Sequence, residues 1–405
     1  MKEKRTGKKD RKLLWGTIII SMILSLMVFY VLYNANNKYM TREEKAIHGI
    51  LYADGSYDSL PVYYLSREWE YYPDVLLTPG DDLEKYYFRY LSIGEYGGME
   101  LDDRNGKPYG SGTYRLRIML PSEEHTYGLY LPEIFSAYNL YVDGKLIEQV
   151  GNPDPDHYEE RIQHRMFTFK GHTSVEIMIA VTDKDSASPG IQYVPAFGNP
   201  LKVNTVRGIP VFLNSSVFTL VLLVLIFSVW AFFRTRSRAN ALFAGVCVCV
   251  LGYTCYPLLH TYLALRVQPW FSLEMLFYYL TFPAMLLLEH EITGRKYKWV
   301  WWLVGFTAAA GIGATVAGIF AGGMETAALS YGVSAVTEVL KWFTAICLVV
   351  IAFFYTEGTR GLPLLAGTVL YASSLAADRI WPLYDPIIGG WFPEWAVPFW
   401  LACLG

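Results

Sequence analysis

Charge is the first thing in short supply: Asp, Glu, Lys and Arg make up 18% of the 405 residues, against roughly 25% in an average soluble domain. With 53% hydrophobic residues, that shortage excludes an ordinary soluble enzyme. Cysteine is scarce as well. Its five copies, Cys247, Cys249, Cys255, Cys347 and Cys403, all fall in apolar runs, so no disulfide framework braces the charged part of the chain. No CxxC pair exists, and the five read as small apolar fillers of membrane helices rather than redox or metal centres. GxxxxGK[ST], HExxH and GxSxG are absent, as is GxGxxG followed by an acidic ribose ligand. Gly311-x-Gly313 lies in an apolar run where, with Ala314 and Gly318, it permits close helix contact rather than forming a phosphate loop. No cofactor is expected.

The charge that is present is unevenly placed. Residues 1–12 hold seven basic and two acidic side chains, residues 34–206 hold 16 basic and 26 acidic, and residues 207–405 hold 11 and 9. The acidic middle excludes a nucleic-acid partner, because release of phosphate counterions needs a basic face.

Residues 13–33 are 21 in number and uncharged, long enough at about 1.5 Å per residue to cross a bilayer core of about 30 Å. Tyr33 to Ala35 fits a signal-peptidase site poorly, so an uncleaved signal anchor is expected. The basic tail then stays cytoplasmic and residues 34–206 lie outside. Apolar runs return near 211–233, 239–262, 270–289, 299–320, 336–355 and 361–378, with a last one beginning near 393. Threading them alternately puts Arg234, Arg236, Arg238, Arg295, Lys296, Lys298 and Arg360 on the inner side, and little beyond Arg266 and Arg379 on the outer. Trp270, Trp299, Trp301, Trp302, Trp391 and Trp395 sit at run ends, as interfacial anchors do. The last run, 392–405, offers about 14 residues where about 20 are needed. A fragment or truncated gene product is therefore expected, its continuation emerging in the cytoplasm.

Between residues 34 and 206 the pattern alternates. Tyr114, Leu116, Ile118 and Leu120 face one way and Arg115 and Arg117 the other; Val175, Ile177, Ile179 and Val181 alternate with Glu176, Met178 and Ala180. Half-buried antiparallel strands are expected. Asp143-Gly144 between two apolar runs is a two-residue hairpin signal. Short strands, spaced turns and no long amphipathic helix predict a β-sandwich or jelly roll.

Three segments carry a family likeness: 112–121 (GTYRLRIMLP), 127–151 (YGLYLPEIFSAYNLYVDGKLIEQVG) and 189–200 (PGIQYVPAFGNP), with 67–79 (REWEYYPDVLLTP) upstream. In these the chain resembles the bacterial seven-transmembrane receptors with diverse intracellular signalling modules. The resemblance implies a galactose-binding-like jelly-roll sensor domain over 34–206 and a seven-helix membrane module over 207–405. It also implies a cytoplasmic output domain, a histidine kinase or cyclase, of which these 405 residues show no motif.

The outer region holds 19 Tyr but one Trp, Trp69, and aromatic faces can stack on sugars or other planar ligands. Trp69, Tyr138, His164, Gln192 and Tyr193 are the candidate ligand contacts. His157, His164 and His172 could meet across strands as metal ligands, but an exposed or hydrogen-bonded state on a sheet rim is the better expectation. Asp102-Asp103-Arg104-Asn105-Gly106 lacks the spacing of a calcium loop and reads as a solvated turn. Inside the apolar runs, Glu274, Glu338, Lys341 and Asp378 fall near outer ends and could form an outward polar mouth, against the plainer readings of snorkelling and a Glu338–Lys341 pair. The expected function is non-catalytic. The outer domain binds an extracellular small ligand, such as a carbohydrate or cell-wall fragment, and the helices of a monomer or homodimer relay it inward. A transporter or membrane-embedded enzyme with an accessory outer domain is the alternative.

Overall fold

The computed structural model describes residues 2–53, 55–94, 110–121, 123–184, 190–294, 298–321, 327–355, 361–381 and 391–404. Helix α1 (Lys2–Asn36) precedes the strands β1 (Ile50–Tyr52), β2 (Tyr63–Tyr64), β3 (Trp69–Pro73), β4 (Arg89–Leu91), β5 (Gly110–Met119), β6 (His125–Leu131), β7 (Ala137–Val142), β8 (Lys145–Val150), β9 (Arg165–Gly171), β10 (Ser174–Asp183) and β11 (Ala196–Gly198). Then come α2 (Pro200–Thr235), α3 (Arg238–His260), α4 (Trp270–Ile292), α5 (Lys298–Ala321), α6 (Ala327–Tyr355), α7 (Leu362–Ile380) and α8 (Phe392–Leu404).

The strands form a two-sheet sandwich. One sheet runs β4-β3-β5-β10-β7-β8 with β1 beside β5; the other runs β2-β11-β6-β9. Alternation dictates the facing sides: Tyr114, Leu116 and Ile118 pair with Ile179, Ile177 and Val175 across β5 and β10. Their side chains meet Tyr127, Leu129, Leu131 and Phe197 of the second sheet in one core. The outer face of β10 departs from the half-buried expectation. Met178 and Ala180 are also buried, because Leu77 and its neighbours fold over them together with Tyr72 and Tyr141. At the β7–β8 turn Asp143 and Gly144 take φ of 46° and 75°, the positive values that a two-residue hairpin requires.

Among the described residues, six helices are long and apolar enough to cross a membrane: Lys12–Asn36, Pro200–Thr235, Arg238–His260, Trp270–Ile292, Lys298–Ile319 and Gly332–Phe354. This is a multi-pass membrane protein. Helices α1 and α2–α8 match the expected one plus seven in number, but α8, with 13 residues, and α7, which carries Ser373, Ser374, Asp378 and Arg379 within its 19, are not among the six. Helix α1 lies along α7 and touches the start of α8, with Phe29 against the Phe392 ring at 4.9 Å.

Sandwich and helices meet without a spacer. The sequence Gly198-Asn199-Pro200 ends β11 and starts α2 at once, since Asn199 accepts a hydrogen bond from the Leu201 N–H at 3.0 Å and Pro200 fits the first turn. Lys202 then donates back to the Leu60 carbonyl at 2.7 Å.

Candidate functional site at the junction of sandwich and helices

Strands β6 and β9 stay paired as far as Leu131 and Arg165, so Glu133 and His164, just beyond the last pair, emerge together at one end of the sheet. Helix α3 ends there too, at His260. Beyond it residues 261–269 fold onto the sandwich. Ile162 donates to the Leu265 carbonyl at 2.8 Å and receives the Leu265 N–H at 3.2 Å, while Gln163 donates to the Tyr262 carbonyl at 3.1 Å. Ile162, Tyr256 and Val267 are buried together beneath this bridge. The Phe135 ring meets Phe271 of α4 edge-on at 6.3 Å and Tyr193 at 6.5 Å. At the rim, Glu159 accepts from Arg161 at 2.9 Å and Arg266 at 3.2 Å, and Glu160 accepts from the Gln268 N–H at 3.1 Å. The Arg161 guanidinium first, then Arg266, holds the Glu159 carboxyl below its usual range.

At the centre, Glu133 Oε2 lies 3.2 Å from His260 Nε2 and 3.5 Å from His164 Nε2. The two imidazoles stack at 5.3 Å with 16° between planes. Tyr130 Oη sits 2.7 Å from His164 Nδ1 and fixes that ring. Burial favours a neutral Glu133, but the facing His260 and His164 outweigh it and hold the carboxyl below its ordinary range. A sandwich carboxylate, a sandwich imidazole and a helix imidazole thus share one small volume.

The five ligand candidates do not form one group. Trp69 and Tyr138 are core residues: Trp69 is fully buried and donates to the Leu65 carbonyl at 2.8 Å, and burial pushes the Tyr138 hydroxyl upward. Neither ring offers a face to a ligand. Register parity forces this, because Tyr138 shares its side of β7 with Leu140 and Val142. His164 and Tyr193 belong to the junction, and Gln192 stands half-buried next to Tyr193. The three histidines weighed as metal ligands do not form a group: His157 pairs with Asp154 at 2.9 Å on an exposed turn, and His172 is exposed, whereas His164 lies at the junction. The turn 102–106 lies outside the described residues. Exposed aromatic rings occur elsewhere, at Tyr86, Tyr87, Phe88 and Tyr90 around β4.

Of the charges weighed as a polar mouth, Glu338 pairs with Lys341 at 2.9 Å and with Arg379 at 3.4 Å, and Asp378 lies within electrostatic reach of all three. Glu274 stands apart, closer in field to Glu394 and Glu133. With Glu338 34% exposed and Lys341 15%, the pair is only partly withdrawn from solvent, so a Glu338→Gln, Lys341→Met double-mutant cycle on thermal unfolding should return a coupling of about 1 kcal/mol. A larger value would mark a desolvated site.

Sequence reading missed Glu133, His260, Tyr130 and Arg266. The signal for Glu133 and His164 was their position immediately outside two strands; nothing local announced that His260 would meet them.

No family model matches the chain, and no curated protein matches it. Solved structures similar to part of it include the GH2 beta-galacturonidase from Eisenbergiella tayi bound to galacturonate, at 13% identity and TM-score 0.25 over 34% of this chain and 24% of that one. The Faecalibacterium prausnitzii beta-glucuronidase is similar at 11% identity and TM-score 0.25, over 36% and 33% of the two chains. The Ruminococcus gnavus b-glucuronidase in complex with D-glucuronic acid is similar at 11% and 0.24, over 34% and 29%. This chain spans only about a quarter to a third of those enzymes.

Proposed function

We propose that the chain is the input part of a membrane receptor, with an outward jelly-roll sensor, a seven-helix membrane module and a cytoplasmic output partner. The observation that carries this reading is the doubly tied junction: β11 runs straight into α2, and the α3–α4 connection is hydrogen-bonded into the sandwich through Ile162 and Leu265. A ligand that favours one sandwich arrangement must then favour one arrangement of the helices. The outward orientation is supported by Arg234, Arg236 and Arg238, which cap α2 and α3 at the ends away from the sandwich. The rings of Tyr86, Tyr87, Phe88 and Tyr90 supply stacking faces for a carbohydrate or cell-wall fragment.

The test uses the full chain in lipid nanodiscs, screened by thermal unfolding against neutral sugars, uronic acids and peptidoglycan fragments. A compound that raises the unfolding temperature should also slow amide exchange at Leu265, and Tyr87→Ala should abolish both effects. Protection confined to the strands, or movement of the compound across sealed vesicles, would contradict the receptor reading.

A further inference from the structure

We propose that Glu133, His164 and His260 form a binding site for a divalent transition-metal ion of the zinc class, which clamps the sandwich onto α3. One ligand atom from each lies within 4.8 Å of the other two, the one such group of three His, Cys or carboxylate residues among the described residues. An ion held tetrahedrally at about 2.0–2.1 Å from each donor places its ligand atoms about 3.3 Å apart. The carboxylate-to-imidazole separations here, 3.2 and 3.5 Å, bracket that value. The site needs only small shifts to close on an ion.

Three further features fit a metal. Two imidazoles and one carboxylate suit zinc and its neighbours, whereas calcium and magnesium prefer oxygen donors throughout. The Tyr130 hydroxyl at 2.7 Å orients His164 through its other nitrogen, as outer partners of metal-bound histidines do. The donors are withdrawn from solvent, with side-chain exposures of 14%, 19% and 3% for Glu133, His164 and His260, so competition from water is reduced. Three protein ligands leave a fourth position for water or an external donor.

The consequence follows from where the ligands originate. Glu133 and His164 belong to the sandwich and His260 to a membrane helix, so an ion bound by all three stabilises only the docked arrangement. This inference does not rest on the receptor reading. A chain that binds zinc here and ignores every sugar would end that reading and leave this one standing.

The test takes the full chain in nanodiscs, strips it with chelator, and titrates it with zinc against a chromophoric competitor and with cobalt by visible absorption. One zinc per chain is expected, with a cobalt spectrum of the intense tetrahedral kind, no calcium or magnesium uptake, and slower amide exchange at Leu265 when zinc is bound. Glu133→Gln, His164→Gln and His260→Gln should each weaken zinc by about 100-fold or more, while His157→Gln should not change it. Should those variants unfold, Tyr130→Phe decides, since it keeps all three ligands and should weaken zinc by about 10- to 100-fold. Failure of the wild-type chain to take up zinc one to one, or uptake indifferent to the ligand variants and to Tyr130→Phe, would overturn the site.

Discussion

Replacing Trp69 with alanine should destabilise the sandwich by about 3–5 kcal/mol, the cost of deleting a large buried aromatic. The indole is fully buried in the main core, its edge meets Tyr114 at 6.4 Å, and its N–H is used by the Leu65 carbonyl. Alanine would leave a cavity in the sandwich core and strand a buried acceptor. Trp69→Phe should lose less, because much of the volume remains. The measurement is amide exchange of β5 and β10 in the full chain, which should accelerate about 100-fold or more for Trp69→Ala if those strands open by global unfolding of the sandwich. If Trp69 were instead a ligand contact, exchange would stay near wild type and only ligand affinity would fall.

Arg115→Met should cost roughly 3 kcal/mol, for an electrostatic reason. Arg115 lies across the outer face of the larger sheet, donating to Glu70 on β3 at 2.7 Å and through Nε to Glu176 on β10 at 2.8 Å. Glu70 is only 8% exposed, and its other partners are the Tyr72 hydroxyl at 3.2 Å and Arg117 at 3.8 Å. Removing the guanidinium strands two carboxylates on neighbouring strands, one of them buried. Changing Glu70 to Gln in the same chain removes part of that burden, so the double variant should be more stable than Arg115→Met alone. Additive losses in thermal unfolding would show that the three charges act separately.

The sandwich was legible because its signals are local. Asp143-Gly144 sets its hairpin by backbone sterics, and the parity of Tyr114, Leu116 and Ile118 sets which side of β5 faces inward. The same parity, applied to Tyr138, would have removed it from the ligand candidates. Trp69 shares a side with Tyr71 and follows the same rule. The membrane helices were legible from apolar length, yet hydropathy says nothing of which helix end meets which sheet end. That is why His164 could be singled out while its true companions could not: Glu133 lies near it only through the β6–β9 pairing, and His260 only because the α3–α4 connection docks on Ile162. Long-range docking of this kind leaves no periodic trace.

The central claim is that sandwich and helices move as one, and amide exchange at Leu265 tests it most directly, since that N–H crosses the junction to the Ile162 carbonyl. In the wild-type chain it should be strongly protected, and in Trp69→Ala its protection should collapse with that of β5 and β10, although no residue of α3 or α4 has changed. Leu265 remaining protected while the strands open, or exchanging freely in the wild-type chain, would contradict the account.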